Sequence, residues 1–330
     1  MNRIASGMPR QARIFVAGHR GLVGSSVSHS LRRQGFENLL ERGHAELDLT
    51  DQAQVRRFFE AERPEYVFLC AARVGGIGAN QSFPGQFIYD NLAIQVNVLH
   101  QAWRSGVKKL LFLGSSCIYP RECPQPMREE YLLSGPLEPT NRPYAVAKIA
   151  GVEMCWAYNR QYETRFLAVM PTNLFGPRDN YDLRTSHVVP AIIRKMHEAK
   201  VAGRDEVILW GTGRPRREFL YSRDLGDACV YLLDLPEERF LPLVTDSERA
   251  PLVNIGYGQD VTIRELADMV ASVVGFAGRI VWDASQPDGT PQKLLDSERI
   301  QALGWRPRTP LRRALELTYR HYQQEVDQQP

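Results

Sequence analysis

With 330 residues, 43% of them hydrophobic and 24% charged, the chain is long enough to bury a full core as one large domain or two closely joined ones, and it is not a disordered tract. Its 41 basic and 38 acidic residues are interspersed and leave a net charge of +3, which argues against a nucleic-acid binder. No run suits a membrane span, Met1 to Gln11 lack the apolar centre of a secretory signal, and five cysteines without metal-ligand spacing predict free thiols in the cytoplasm.

In chain order, Arg13 to Ala17 predicts a buried strand, followed at once by Gly18-His19-Arg20-Gly21-Leu22-Val23-Gly24 and a helix from Ser25 to Gln34. Glycines three apart between strand and helix let the backbone approach a pyrophosphate at the helix amino terminus; a tight turn and nothing more is the alternative. After the next strand, Asn38 to Glu41, a chain preferring NAD would often carry an acid for the ribose hydroxyls. Here the residues are Arg42-Gly43-His44, and Arg20 stands in the glycine loop. Two guanidinium groups favour a 2′-phosphate, and solvated surface arginines are the other reading.

Tyr66 to Ala72 predicts another buried strand, with Val74-Gly75-Gly76-Ile77-Gly78 as a loop at its carboxyl end. Ile88 to Ser105 predicts a helix whose stripe of Leu92, Val96, Leu99 and Trp103 suits core or a subunit interface. Leu110 to Leu113 are continuously apolar and end at Gly114, as a strand buried on both faces does. The β-α-β-α-β alternation is that of a doubly wound parallel sheet, in which ligands bind beyond the carboxyl ends of the strands. If the extended chain continues past Gly114, Ser115 and Cys117 point to one side there.

Pro143 suits the first turn of a helix running to about Tyr162, and on it Tyr144 and Lys148 share a face. An ammonium one turn from a phenol stabilises its anion, and Ser115 supplies a hydrogen bond to an oxygen held opposite. A tyrosine four residues before a lysine is weak evidence alone; its weight comes from this context. Arg165 to Met170 predicts a further strand, leading into Pro171-Thr172-Asn173-Leu174. Beyond it lie a helix from His187 to Ala199, a strand from Glu206 to Trp210, a basic loop from Gly211 to Arg217, a short strand Val253 to Gly256, and helices from Thr262 to Val274 and about Leu311 to Gln324.

With these residues assembled, the chain resembles the extended short-chain dehydrogenase/reductases acting on nucleotide sugars, within them the branch that epimerises and reduces a GDP-4-keto-6-deoxy sugar. The likeness runs from about Ala12 to the last helix. It rests on Gly18 to Gly24, Val74 to Ile77, Leu113-Gly114-Ser115-Ser116-Cys117-Ile118-Tyr119-Pro120, Leu137 to Asn141 running into Pro143-Tyr144-Ala145, Met170 to Leu174, and Pro287-Asp288-Gly289-Thr290-Pro291.

The resemblance implies a Rossmann-type α/β fold, with an NADP-binding domain over 11–175, returning segments near 218–235 and 252–275, and a smaller substrate-binding domain from 176–217 and 276–330. It implies that Ser115, Tyr144 and Lys148 form a reductase triad, and that Cys117 and His187 are the acid and base of epimerisation. NADP(H) would lie against Gly18 to Gly24, Leu113 to Ser116, Tyr144, Lys148, Pro171 to Leu174 and His187, with Arg20 and Arg42 toward its phosphate. The GDP-sugar would lie near Lys195, Trp210, Arg217, Arg279 and Asp288, and a homodimer is expected. One departure is His44, where the family often has arginine. From the residues alone, Cys117 also fits an inert buried thiol, and a related epimerase or dehydratase, or a silent NADP-binding sensor, would share the fold.

Overall fold

The computed structural model describes residues 7–286 and 288–327, so residues 1–6, Pro287 of the Pro-Asp-Gly-Thr-Pro stretch and residues 328–330 of the polar end lie outside it. The first half alternates strand and helix: β1 (Ile14–Ala17), α1 (Leu22–Arg33), β2 (Leu39–Leu40), α2 (Gln52–Glu62), β3 (Tyr66–Leu69), α3 (Ile77–Ser82), α4 (Pro84–Arg104), β4 (Lys109–Leu113), α5 (Arg142–Tyr162) and β5 (Phe166–Pro171). There follow β6 (Asn173–Phe175), α6 (Val188–Val201), β7 (Glu206–Trp210), β8 (Arg216–Tyr221), α7 (Ser222–Leu233), α8 (Glu237–Phe240), β9 (Leu252–Ile255), β10 (Asp260–Thr262), α9 (Ile263–Val274), β11 (Arg279–Asp283), β12 (Gln292–Lys293), α10 (Glu298–Ala302) and α11 (Leu311–Asp327).

Six strands form one parallel sheet in the order β2-β1-β3-β4-β5-β9. Strand side chains alternate, so β1 sends Ile14 and Val16 into one core and Phe15 and Ala17 into the other. The first core is closed by α1 and α7, through Val27, Leu31 and Leu225; the second by α2, α4 and α5, through Phe59, Val98 and Val152. This two-sided burial is why the strands are apolar without alternation. Lys109, fully buried at the start of β4, is satisfied at the end of α7: its ammonium donates to the carbonyls of Leu233 and Leu235, at 3.0 and 2.7 Å.

A third core gathers α6, α9 and α11 around β7 and β8, with Ile193, Met196, Leu266, Val270 and Leu315 inside. The stretch near 252–275 therefore divides. Its strand completes the large sheet, while α9, begun by a capping box between Thr262 and Glu265, joins the smaller unit. The segment predicted as a basic loop is corrected at its end: Arg216 and Arg217 lie on β8, held between β10 and β12. All five cysteines are free thiols. Among the described residues no helix is long and apolar enough to cross a membrane.

One contact sets the spacing of the site. α5 crosses β4 at Gly151, where an added Cβ would lie 2.3 Å from Cζ of the buried Phe112. Gly151→Val should lower the thermal midpoint by several degrees, because overpacking costs about 1–3 kcal/mol whereas removing a mid-helix glycine gains at most about 1 kcal/mol. Scanning calorimetry checks this, and an unchanged midpoint would mean the ring yields freely.

Candidate active site

The chain turns from β1 into α1 through a glycine cradle beside the point where the strand order reverses, between β1 and β3. Gly18 has φ +84°, and a Cβ on it would meet the Ala71 nitrogen at 2.8 Å; a Cβ on Gly24 would meet the Gly18 carbonyl oxygen at 2.1 Å. Gly21 is exposed at the amino end of α1, and no acidic residue occupies the first turn of that helix. Close backbone packing with an uncapped, acid-free helix end fits a pyrophosphate. The two arginines of this region take different partners. Arg42 donates to Glu62 at 2.6 Å, while Arg20 lies against Gly43 and 4.0 Å from Glu46. His44 is exposed, 3.8 Å from Asp48.

At the end of β4 the extended chain stops at Ser115. Residues 116–118 form a single 3-10 turn that Ser115 caps, its hydroxyl accepting from the Cys117 nitrogen at 3.5 Å. This corrects the expected continuation of the strand, yet both side chains remain at the sheet's carboxyl edge. A Cβ on Gly114, just before them, would overlap the end of the buried Met170 side chain, which would have to shift.

The helix α5 begins with Pro143 in its first turn and brings Tyr144 and Lys148 over this edge. Burial and the neighbouring Cys117 thiol push the Tyr144 phenol above its ordinary range, and the Ser115 hydroxyl draws it back. Lys148 is buried and directs its ammonium to the Leu113 carbonyl at 2.8 Å, with the Tyr144 ring centre 5.8 Å away. The terminal carbonyl of β4 thus takes one bond of the ammonium, and among the described residues no hydrogen bond joins it to the Tyr144 phenol. Burial raises the Cys117 thiol; Ser115, Lys293 and Lys148, in that order, oppose the rise.

His187 immediately precedes α6 and is exposed at its amino end. The loop before it is tied to the glycine loop after β3 by the Gly76 nitrogen, which donates to Thr185 at 3.0 Å. Among the described residues no hydrogen bond or ring contact joins His187 to Cys117 or Tyr144. The carbonyl of Glu218 accepts from the Thr172 hydroxyl at 3.2 Å and the Asn173 amide at 2.9 Å, which fixes the segment Pro171 to Leu174 after β5.

In the smaller unit Lys195 donates to the Ile208 carbonyl at 3.0 Å and lies 5.7 Å from the ring centre of the exposed Trp210. Asp288 accepts from the Thr212 nitrogen and hydroxyl, both at 2.7 Å, and faces Arg217, whose own pKa is lowered by burial. Arg279 is not brought to this group. It opens β11 opposite Glu206, to which it donates at 2.9 Å, whereas Trp210 pairs with Asp283 at the far end of the same two strands.

Sequence reasoning missed Glu218. This fully buried carboxylate accepts from the Gly258 and Leu295 nitrogens at 2.6 and 3.0 Å, joining β8 to the ends of β9 and β12, and burial raises its pKa. The only signal was a lone acid between Arg217 and the apolar Phe219-Leu220, which periodicity alone does not separate from a surface residue.

Residues 14–242 match the profile of the NAD dependent epimerase/dehydratase family. The chain is 54% identical over 325 residues to GDP-L-fucose synthase 1 of Arabidopsis thaliana, covering 98% of this chain and 97% of that one. It is 48% identical over 319 residues to the GDP-L-fucose synthase of Escherichia coli strain K12, covering 96% and 98%. Among solved structures, a GDP-L-fucose synthetase from Naegleria fowleri bound to NADP superposes with a TM-score of 0.88 at 27% identity, covering 99% of each chain.

Burial pushes Lys148 down to about 8 from 10.5. Between those values the unfolded chain holds a proton that the folded chain has lost, so this group makes folding more favourable as pH rises through that window. In Lys148→Met the gain disappears. Urea midpoints measured near pH 8 and near pH 10 should rise less in the variant than in the parent, and equal changes would exclude a depressed Lys148.

Proposed function

The chain belongs to the NAD dependent epimerase/dehydratase family, and we propose that it converts GDP-4-keto-6-deoxy-D-mannose to GDP-L-fucose with NADPH, by epimerisation at C3 and C5 and then reduction at C4. The observation that carries this reading is the gathering of Ser115, Cys117, Tyr144 and Lys148 at the end of β4, in a chain similar over nearly its full length to enzymes of that name.

One set of donors serves both reactions. Taking a proton from a carbon beside the 4-ketone puts negative charge on the keto oxygen as an enolate, and reduction of the same carbonyl puts charge on the same atom. Ser115 and Tyr144 hydrogen-bond that oxygen in both steps. Cys117 takes a proton from carbon and His187 returns one on the opposite face. A thiol suits the base because its ordinary pKa lies within reach of neutrality; burial raises that of Cys117 and the Lys293 and Lys148 charges oppose the rise, while the imidazole of His187 lies exposed at the amino end of α6. NADPH, when bound, supplies the hydride for C4. Tyr144 then gives its proton to the C4 oxygen, and Lys148 holds the nicotinamide ribose. The glycine cradle, Leu113 to Ser116 and Pro171 to Leu174 would hold the rest of the cofactor, with Arg20 and Arg42 toward the 2′-phosphate, for which Arg42 would have to leave Glu62.

Arg217 and Lys195 carry the charge for the substrate diphosphate, Trp210 a stacking face for guanine, and Asp288 orients the loop beside Arg217. The position of Arg279 beside Glu206 withdraws it from this set. The protein works in the cytoplasm as a homodimer; free cysteines support the first, and exposed Tyr89, Val96, Val146 and Tyr162 on α4 and α5 support the second. Sedimentation at 37.5 kDa alone would exclude the dimer.

The test is NADPH absorbance on adding GDP-4-keto-6-deoxymannose, with NADH in parallel and the product sugar identified. Stoichiometric NADPH loss with GDP-fucose formed is the expected result; cofactor binding without oxidation would move the chain to a redox-neutral epimerase or a sensor. Cys117→Ser should lose epimerisation, and a normal rate would remove its role. Arg217→Ala should raise the KM for the GDP-sugar about tenfold or more, the worth of one charge-assisted contact, and an unchanged KM would exclude the diphosphate role.

A further inference from the structure

One cation in the cleft has no task in this scheme. Lys293 lies on β12, which pairs in parallel with β8 and sets Lys293 beside Arg217. Its backbone is anchored next to the segment that follows Cys117: the Leu294 nitrogen donates to Gln125 Oε1 at 2.9 Å, and the Leu294 carbonyl accepts from Met127 at 2.7 Å. The side chain is half-buried, and among the described residues no hydrogen bond or ion pair engages its ammonium. The groups around it are Cys117, Arg217, Glu138 and Cys123. Glu138 is turned elsewhere, toward Arg121 at 3.5 Å and the Thr140 nitrogen at 3.3 Å.

A half-buried ammonium beside a second cation, with no bonded partner among the described residues, is steadied by an anion that forms next to it. Two anions are candidates: the substrate diphosphate proposed at Arg217, its register neighbour on β8, and a thiolate at Cys117, one of the groups around it. Cys117 favours the second. It is buried, which opposes its thiolate, and the ammonium of Lys293 acts on it more strongly than that of Lys148, which donates to the Leu113 carbonyl.

We propose that Lys293 is a positioning residue that stabilises Cys117 as the thiolate which takes a proton from the sugar carbon. This rests on Cys117 being the base of epimerisation. The thiolate pair takes the proton, the C–H pair moves into the enolate toward the C4 oxygen, and Lys293 keeps its own proton throughout.

The test uses the full chain carrying Cys123→Ser, so that iodoacetamide labelling of the peptide reports Cys117 alone. Labelling rates are followed against pH by mass spectrometry. Deuterium entry at C3 and C5 of the GDP-keto sugar is measured in heavy water without NADPH. Lys293→Met should slow labelling near neutral pH by about tenfold, an upward move of about one pKa unit, and slow deuterium entry in parallel. Lys293→Arg should restore both, and Lys293→Gln serves if the methionine variant does not fold. Unchanged labelling in Lys293→Met, with Cys117→Ser inactive in exchange, would overturn the proposal alone; weaker GDP binding with unchanged labelling would do the same and give Lys293 to the diphosphate. Normal exchange in Cys117→Ser would overturn the Cys117 assignment and the proposal with it.

Discussion

The distance between one helix and one strand governs the site. α5 approaches β4 closely enough that Gly151 leaves no space for a side chain above Phe112, and at that separation the Lys148 ammonium reaches the Leu113 carbonyl at 2.8 Å. Each half of the contact requires the other. A buried ammonium is costly unless hydrogen-bonded, and the last carbonyl of an interior strand, beyond its ladder partners, needs a donor. The bond meets both needs, and it places Tyr144, one turn earlier on α5, over the serine that follows β4.

The smaller unit is fastened to that edge by a different device. Glu218 brings a carboxylate into the interior and satisfies it with backbone N–H groups from two loops, while its own carbonyl holds Thr172 and Asn173. Gly256 lies so close that a Cβ would fall 2.3 Å from a Glu218 oxygen. Strand β8 therefore carries Arg217 toward Asp288 and the anchor of the segment after β5 from adjacent positions. Side chains on neighbouring residues of a strand point oppositely, so one short strand serves both units.

The large sheet was legible because strands buried on both faces read as unbroken apolar runs, and each was followed by glycine or helix periodicity. The glycine cradle, the end of β4 and the first turn of α5 were legible for the same reason, since local chemistry fixes them. The short strands β6, β10 and β12 were not, because two or three residues carry no period and their partners are distant in the chain. Arg216 and Arg217 read as loop for want of any apolar neighbour on one side. The turn at Ser115 to Ile118, and the Lys148 ammonium facing Leu113, were hidden because both depend on what lies across the sheet edge. Arg279 shows the limit of carrying a role over by resemblance: its strand is short, and its position at the end away from Trp210 is visible only in the register with Glu206.

The helix α4 contradicts the usual expectation for an interior face. Asn91, Gln95 and Asn97 are buried, each donating to a backbone carbonyl: of Arg73 and Phe87, of Ala147, and of Leu49 and Thr50. Val96, from the apolar stripe, is exposed instead. Aliphatic ridges tolerate sliding, since one methyl contact resembles the next. An amide that reaches one particular carbonyl does not, because a shift of a single turn strands it without an acceptor in a dry interior. α4 is thus indexed to its neighbours as a key is to its wards, and the sheet edge inherits that fixed registration on the side where Tyr144 meets Phe87.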